Sequence, residues 1–193
     1  MANGRKYIII HSLVQIILAA ALIAADQVTK LLAVYYLKDN DPYVLIDGVL
    51  EFKYIENTGA AFGIFQNKQW LFYIITGVIA GLVILFWVLI LSKLKKYCRF
   101  GVVCPNTFSR KTYNDMIGLT YILTILFAGA IGNLIDRVFN HYVVDFIYFS
   151  IIDFPVFNFA DILVTVSAIL LIIFFIFIYK DDEYFSLFGK KEE

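Results

Sequence analysis

Long uncharged apolar runs alternate with short charged segments along this chain of 193 residues. A helix needs about 20 apolar residues to cross the hydrocarbon core of a bilayer, and four of the runs are near that length. Hydrophobic residues make up 61% of the chain, whereas soluble domains contain about 45–50%. The pattern therefore predicts an all-α polytopic membrane protein. The four predicted transmembrane helices cover about 7–29, 69–92, 115–137 and 155–179.

The distribution of basic residues predicts how the chain crosses the membrane. Lysine and arginine are concentrated before the first span, in the segment 93–114 and after the fourth span. Because basic loops stay on the cytoplasmic side, we expect both termini and the 93–114 loop to be cytoplasmic. The segments 38–68 and 138–154 then face outward. No linker or convincing repeat divides the chain, so residues 1–193 are interpreted as one membrane-embedded domain.

The N-terminus shares some features with a cleavable secretory signal. Arg5 and Lys6 precede an apolar run that contains Ala24-Ala25. The apolar core of a signal is only about 7–15 residues long, however, and here hydrophobicity resumes at Leu31–Leu37. We therefore expect the first span to be retained.

The first outer segment contains a strong signal for a β-hairpin. Val44–Ile46 and Val49–Tyr54 flank Asp47-Gly48, a dipeptide typical of two-residue hairpin turns. An isolated hairpin is only marginally stable in water. We expect this small β-hairpin or sheet to lie on the outer membrane surface, against the helices.

Composition and spacing argue against several kinds of ligand. The formal net charge is zero, so nothing points to a nucleic-acid partner. Cys98 and Cys104 fall in the predicted cytoplasmic loop, a reducing environment in which disulfides are rare. His11 and His141 are far apart in sequence, and no metal-ligand spacing is present. We expect no metal and no cofactor.

Two isolated acids close to the fourth span give the strongest indication of chemistry. Asp145 is embedded in the apolar stretch Val143–Ile147, and Asp161 lies near the start of the fourth apolar run. A charge at the bilayer centre costs roughly 2.5–3.5 kcal/mol on insertion scales, so such residues usually serve a function. Two carboxyl groups that share one proton can catalyse the hydrolysis of a peptide bond without a metal ion and without a serine or cysteine nucleophile. The pattern favours two carboxylates that act together.

Other acids near the spans have structural interpretations. Asp26 and Lys30 are four residues apart with the acid first, the favourable order for a helical ion pair, and are interpreted as a structural polar pair. Asp136 could anchor neighbouring groups or take part in catalysis, and its position beside Arg137 favours an anchor. Asp153 precedes the fourth span, where a loop or helix-cap role is expected.

Polar and small residues share helical faces with these acids. Gly129 and Asn133 lie on one face of the third span, where small residues allow close helix approach. Asn158, Asp161 and Thr165 lie on one face of the fourth span at offsets of three and four residues. Asn158 could there hold a peptide carbonyl group or orient a carboxylate.

Two further residues affect the expected geometry of the site. Asn57 belongs to a small, polar stretch that is either an ordinary turn or a loop that binds an extended peptide. Pro155 is expected in the first turn of the fourth span, where its missing N–H is harmless. Asp161 would then lie about 9 Å below the start of that helix, at 1.5 Å per residue.

Five short motifs occur in a characteristic order from the first span to the fourth. They are Asp26-Gln27-Val28-Thr29-Lys30, Asn57–Phe62, Gly129–Arg137, Val143–Phe146 and Phe157–Asp161. Each motif alone is weakly specific. Their order resembles that of lipoprotein signal peptidases, the bacterial type II signal peptidases.

The resemblance implies a four-helix aspartyl endopeptidase of the bacterial cytoplasmic (inner) membrane. Such enzymes cleave diacylglyceryl-modified prolipoproteins on the N-terminal side of the lipidated cysteine. By this resemblance Asp145 and Asp161 form the catalytic dyad, near the outer leaflet, and the partners are lipidated prolipoproteins and membrane lipid, with a monomer expected. The implied substrate-binding or supporting residues are Asn57, Gly59, Gly129, Asn133, Asp136, Arg137, Asn158 and Ala160.

Two non-enzymatic classes compete with this hypothesis. A transporter or proton channel would also keep intramembrane acids and a lysine. Transporters often show matching broken helices in two halves of the chain, a pattern that this sequence lacks. A purely structural membrane subunit would leave Asp145 and Asp161 unexplained.

Overall fold

The computed structural model describes residues 2–59, 69–99 and 110–178. Within these ranges, four helices are long and apolar enough to cross a membrane, which confirms the predicted polytopic architecture. The helices are α1 (Ala2–Leu37), α2 (Gln69–Arg99), α3 (Arg110–Phe139) and α4 (Phe159–Ile173), the last of which continues as a π-helical segment, Phe174–Ile178. Of the predicted 93–114 loop, residues 100–109 lie outside the described residues, and the rest is helical.

All four helices differ from the predicted spans at one or both ends; α2 runs on to Arg99 and α3 begins at Arg110. The first helix does not end near residue 29 but runs to Leu37, because the sequence remains apolar through that residue. The fourth helix begins at Phe159, so the prediction that Pro155 occupies its first turn is wrong. Asn158 caps the helix instead, since its side chain accepts a hydrogen bond from the Asp161 N–H. Asp161 therefore lies in the first turn of α4.

A three-stranded antiparallel sheet is formed by the segment between α1 and α2 and the segment between α3 and α4. It consists of β1 (Tyr43–Ile46), β2 (Leu50–Asn57) and β3 (Val143–Tyr148), in the order β1-β2-β3. The predicted hairpin is confirmed, with Gly48 at the turn in the left-handed region (φ +65°) that glycine adopts easily. The third strand was not predicted. It pairs Asp145 with Ile55 across the sheet.

Helix α3 is the centre of the bundle and packs against all three other helices. Two glycines make this close packing possible. A Cβ atom on Gly129 would lie 2.7 Å from the carbonyl oxygen of Ala160, and one on Gly132 would lie 2.5 Å from the Asp26 carboxylate. Ala160 itself is fully buried. The small residues therefore bring α1, α3 and the start of α4 together at one point.

Gly132→Ala is expected to lower the thermal stability of the folded protein. The added methyl group must push against a buried carboxylate, and overpacking of this kind costs about 1–3 kcal/mol. Gly118→Ala on the same helix is the matched control, because a Cβ atom there meets nothing within 4 Å. Thermal unfolding in one detergent compares the two variants. Equal unfolding midpoints for both would contradict this account of the packing.

Candidate active site

The two predicted catalytic acids line one cavity. Asp145 is on β3 and Asp161 is in the first turn of α4, and the cavity between them has a volume of about 650 Å³. One part of its wall is polar, and the rest is apolar. The lining residues include Asn57, Gly59, Asn133, Arg137, Phe149, Ile152, Phe154, Pro155, Ile162, Thr165 and Val166.

Asp145 is almost completely buried and is held by two neutral amides. The Asn57 side chain donates to one carboxylate oxygen at 2.8 Å, and the Asn158 side chain donates to the other at 2.6 Å. Burial, together with the nearby Asp161 carboxylate, raises the pKa of Asp145 to about 7. The environment of this residue therefore favours a carboxyl group that keeps its proton near neutral pH.

Asp161 is held in a similar way. The Asn133 side chain donates to one of its oxygens at 2.8 Å, and the Asn158 backbone N–H donates to the other at 3.1 Å. The second bond is half of a capping box, in which the Asn158 side chain accepts from the Asp161 N–H at 3.0 Å. Asn158 thus contacts both acids and fixes their relative position.

Lys30 determines which way the Asn133 amide points. Its ammonium group donates to the Asn133 carbonyl oxygen at 2.9 Å, and the Asn158 amide donates to the same oxygen at 3.0 Å. Since that oxygen is occupied by two donors, the NH₂ group of Asn133 faces Asp161. Lys30 was predicted only as a structural partner of Asp26, so this connection to the cavity is an addition to the prediction.

A buried ion network holds the backbone immediately before each acid. Lys30 lies 2.9 Å from the Asp26 carboxylate and 3.1 Å from that of Asp136. Asp26 accepts the N–H of Ala160, the residue before Asp161, at 2.9 Å. Asp136 accepts the N–H of Val144, the residue before Asp145, at 3.0 Å. The network therefore links the positions of both cavity acids to one lysine.

Gln27 is a part of this network that the sequence did not single out. Its side-chain amide lies within hydrogen-bond distance of Asp26 (3.1 Å), Asp136 (3.2 Å) and the carbonyl oxygen of Gly132 (3.1 Å). It therefore ties the two buried carboxylates to each other. Its place inside the motif Asp26–Lys30 was the only available signal.

Arg137 lies at the cavity wall and contacts backbone carbonyls rather than a carboxylate. It donates to the carbonyl oxygens of Asn133 (3.3 Å) and Gly59 (3.4 Å), and its guanidinium lies 4.5 Å from the centre of the Phe72 ring. The Gly59 N–H donates to the Asn57 side-chain oxygen at 2.9 Å. This bond leaves the Asn57 NH₂ group directed at Asp145. Arg137 therefore supports the turn that positions Asn57.

The remaining candidates lie around the cavity rather than in its wall. Gly129 and Ala160 are packing residues at the contact between α3 and α4. Asp153 has a left-handed backbone (φ 47°) and accepts a hydrogen bond from the Tyr148 hydroxyl at 2.8 Å, outside the cavity wall. Among the described residues, no group of histidine, cysteine or acidic side chains could hold a metal ion.

This arrangement suits proton transfer between two neighbouring carboxyl groups. Four neutral N–H groups satisfy the four oxygens of Asp145 and Asp161, while the charged groups Lys30 and Arg137 make their bonds elsewhere. No side chain in the described cavity wall is a serine, cysteine or histidine. The polar wall therefore offers two carboxyl groups as its acid and base.

The chain is similar to known proteins over most of its length. The family model described as signal peptidase (SPase) II matches residues 18–177. The lipoprotein signal peptidase of Clostridium tetani is 40% identical over 173 residues, which cover 88% of this chain and 95% of that protein. The lipoprotein signal peptidase of Geobacillus thermodenitrificans is 38% identical over 169 residues, which cover 86% and 92%.

Solved structures agree with this relationship. A structure described as "Bacterial membrane enzyme structure by the in meso method at 2.3 A resolution" has a TM-score of 0.68 at 32% identity, over 88% of this chain and 92% of its own. A second, described in the same words at 1.9 A resolution, has a TM-score of 0.66 at 33% identity, over 86% and 94%. The chain therefore belongs to the signal peptidase II family of membrane proteases.

Proposed function

We propose that the chain is an aspartyl endopeptidase that cleaves prolipoproteins carrying a diacylglyceryl group, on the N-terminal side of the lipidated cysteine. The observation that carries this proposal is the cavity in which Asp145 and Asp161 are both bound by neutral amides. The names of the relatives supply the substrate class. The acids supply the mechanism.

The charges around the cavity favour one shared proton. Lys30 and Arg137 bring two positive charges to this region, against the four carboxyl groups of Asp26, Asp136, Asp145 and Asp161. Two ionised carboxylates about 4 Å apart repel each other by roughly 4 kcal/mol at an effective dielectric constant near 20. Among the described residues of the cavity wall, Arg137 is the only cation that could offset this repulsion. Asp145 and Asp161 therefore carry one proton between them at neutral pH.

Hydrolysis then follows from a series of proton transfers through the pair. The ionised member of the pair takes a proton from a water molecule, whose oxygen attacks the carbonyl carbon of the scissile bond. The protonated member donates to the carbonyl oxygen as the tetrahedral intermediate forms. Collapse of the intermediate breaks the C–N bond, and the proton taken from water passes to the leaving amine. One hydroxyl of the intermediate returns its proton to the other carboxylate, which leaves a carboxylic acid product and restores the singly protonated pair. Because the proton belongs to the pair, the two roles are not assigned to individual residues.

The apolar wall of the cavity supports a substrate that arrives from the membrane. Phe154, Ile162 and Val166 line the cavity and are more than a third exposed. Such a surface suits a lipid chain or an apolar signal peptide. The charge distribution of the sequence orients the chain with both termini in the cytoplasm, so the acids would lie near the outer leaflet of the cytoplasmic membrane.

Activity is expected to fall above about pH 7. Burial and the neighbouring Asp161 raise the pKa of Asp145 to about 7, so the pair keeps its shared proton below that pH and loses it as the pH rises. Each pH unit above the pKa then removes about nine tenths of the active form. Initial rates give kcat/KM at each pH between 5 and 9, and folding is checked at each pH. The decrease of kcat/KM above pH 7 is the quantity measured. A constant kcat/KM up to pH 9 would contradict the shared proton.

The substrate proposal is tested with purified protein in lipid bilayers. A diacylglyceryl-modified prolipoprotein is expected to be cleaved, and the released signal peptide is identified by mass. The matched control is the same prolipoprotein without its lipid, which is expected to remain intact or to react far more slowly. Failure to cleave the lipidated form, or equal cleavage of both forms, would contradict the proposal.

A further inference from the structure

Thr165 is a polar side chain in the apolar part of the cavity wall. It lies on α4 four residues after Asp161, on the same face of the helix, and its side chain is exposed in the cavity. Four residues correspond to about 6 Å along a helix. The Thr165 hydroxyl therefore lies about one helical turn deeper in the span than the acid.

The hydroxyl of Thr165 differs from most other hydroxyls in the spans. Ser167 donates to the carbonyl oxygen of Leu163 at 2.7 Å, and Thr124 donates to that of Thr120 at 2.8 Å. Such bonds to the preceding turn are the usual way to satisfy a hydroxyl inside a helix. Thr165 makes no hydrogen bond to any residue within 2–59, 69–99 or 110–178. Its donor is available to a molecule in the cavity.

A peptide bound at the two acids needs such a donor. To reach Asp145 and Asp161 its backbone must be extended, so its carbonyl groups lose the hydrogen bonds of a helix. An unpaired carbonyl group in an apolar environment is costly. At about 3.3 Å per residue, a position 6 Å deeper in the span corresponds to about two residues of extended chain. These residues precede the scissile bond when the signal peptide rises from the membrane core.

We propose that Thr165 is a substrate-positioning residue whose hydroxyl donates a hydrogen bond to a backbone carbonyl of the signal peptide, about two residues before the scissile bond. The inference rests on the proposed function and deepens it. Ile162 and Val166 flank Thr165 in the cavity wall and provide apolar contacts for the neighbouring side chains of the peptide.

The test compares Thr165→Val, which removes the donor at nearly constant volume, with Thr165→Ser, which keeps it. One neutral hydrogen bond corresponds to a change of about threefold to tenfold in binding or rate. Thr165→Val is expected to lower kcat/KM for the lipidated prolipoprotein by that factor, and Thr165→Ser to retain most of it. Thr76→Val is the matched control, because Thr76 lies on α2 outside the cavity wall. It is expected to match the parent enzyme.

A modified substrate gives a second, independent readout. Replacing the peptide bond two residues before the cleavage site by an ester weakens the carbonyl acceptor. The parent enzyme is expected to lose about threefold or more in kcat/KM on this change, and Thr165→Val to lose clearly less. If Thr165→Val fails to fold, the ester substrate with the parent enzyme decides alone, and an unchanged kcat/KM overturns the proposal.

The remaining outcomes separate this inference from the proposed function. Equal kcat/KM for the parent, Thr165→Val and Thr76→Val overturns the role of Thr165 and leaves the peptidase function intact. Equal losses in Thr165→Val and Thr165→Ser show that the hydroxyl is not the determinant and also overturn it. If the parent enzyme does not cleave the lipidated prolipoprotein at all, the proposed function itself fails.

Discussion

Replacing either cavity acid by its amide is expected to abolish cleavage of a lipidated prolipoprotein. Asp145→Asn and Asp161→Asn each keep the shape of the side chain but prevent it from exchanging a proton. General acid–base catalysis contributes about 10²–10⁴-fold, so initial rates should fall by roughly a thousandfold in either variant. The double variant is expected to lose little more, because residues that act as a unit are strongly non-additive.

Asp153→Asn is the matched control for these variants. Asp153 is an acid in the segment between α3 and α4, as Asp145 is, but it accepts its hydrogen bond from Tyr148 and lies outside the cavity wall. It should retain most of the activity of the parent enzyme. A rate loss for Asp153→Asn as large as that for Asp145→Asn would contradict the assignment of Asp145 and Asp161 as the catalytic pair.

The second large effect is expected when Lys30 is replaced, and it is a loss of stability of the folded protein. Lys30→Met leaves the buried carboxylates of Asp26 and Asp136 without their common cation. Breaking a buried ion pair by removing one partner costs about 3–5 kcal/mol. These carboxylates also hold the backbone N–H groups of Ala160 and Val144. We expect a much lower yield of folded protein and a strongly reduced unfolding midpoint.

Lys38→Met provides the comparison for Lys30→Met. Lys38 pairs with Glu56 at 3.1 Å, but both side chains are about 40% exposed, and solvent screening leaves such exposed ion pairs with little effect on stability. Its unfolding midpoint should stay close to that of the parent. Similar midpoints for Lys30→Met and Lys38→Met, measured in the same detergent, would mean that the buried network does not stabilise the fold.

The sequence predicted the membrane architecture and the cavity acids because both depend on local patterns. Run length alone indicates a span, and a charge inside an apolar run is conspicuous at Asp145 and at Asp161. The strand β3 was missed because Val143–Tyr148 is short and apolar, and its identity depends on pairing with β2, which is distant in sequence. The start of α4 was misplaced because Pro155 and Asn158 are both acceptable near a helix N-terminus.

The hydrogen bonds and ion pairs that position Asp145 and Asp161 could not be predicted from the sequence. Asp26 holds a backbone N–H that is 134 residues away, and a backbone donor leaves no trace in a sequence. Asn133 was placed on the correct helical face. The orientation of its amide, however, depends on Lys30 from another helix. Such partners are determined by how the helices pack around Gly129 and Gly132.

The central claim is that Asp145 and Asp161 together perform the hydrolysis. It is tested most directly by a single-turnover reaction with folded enzyme in excess over a lipidated prolipoprotein, followed by intact mass. The parent enzyme is expected to convert the precursor into signal peptide and a product that begins at the lipidated cysteine. Asp145→Asn and Asp161→Asn are expected to bind the precursor and leave it uncut, because the apolar cavity wall holds it. Conversion by either folded variant at a rate near that of the parent would contradict the claim.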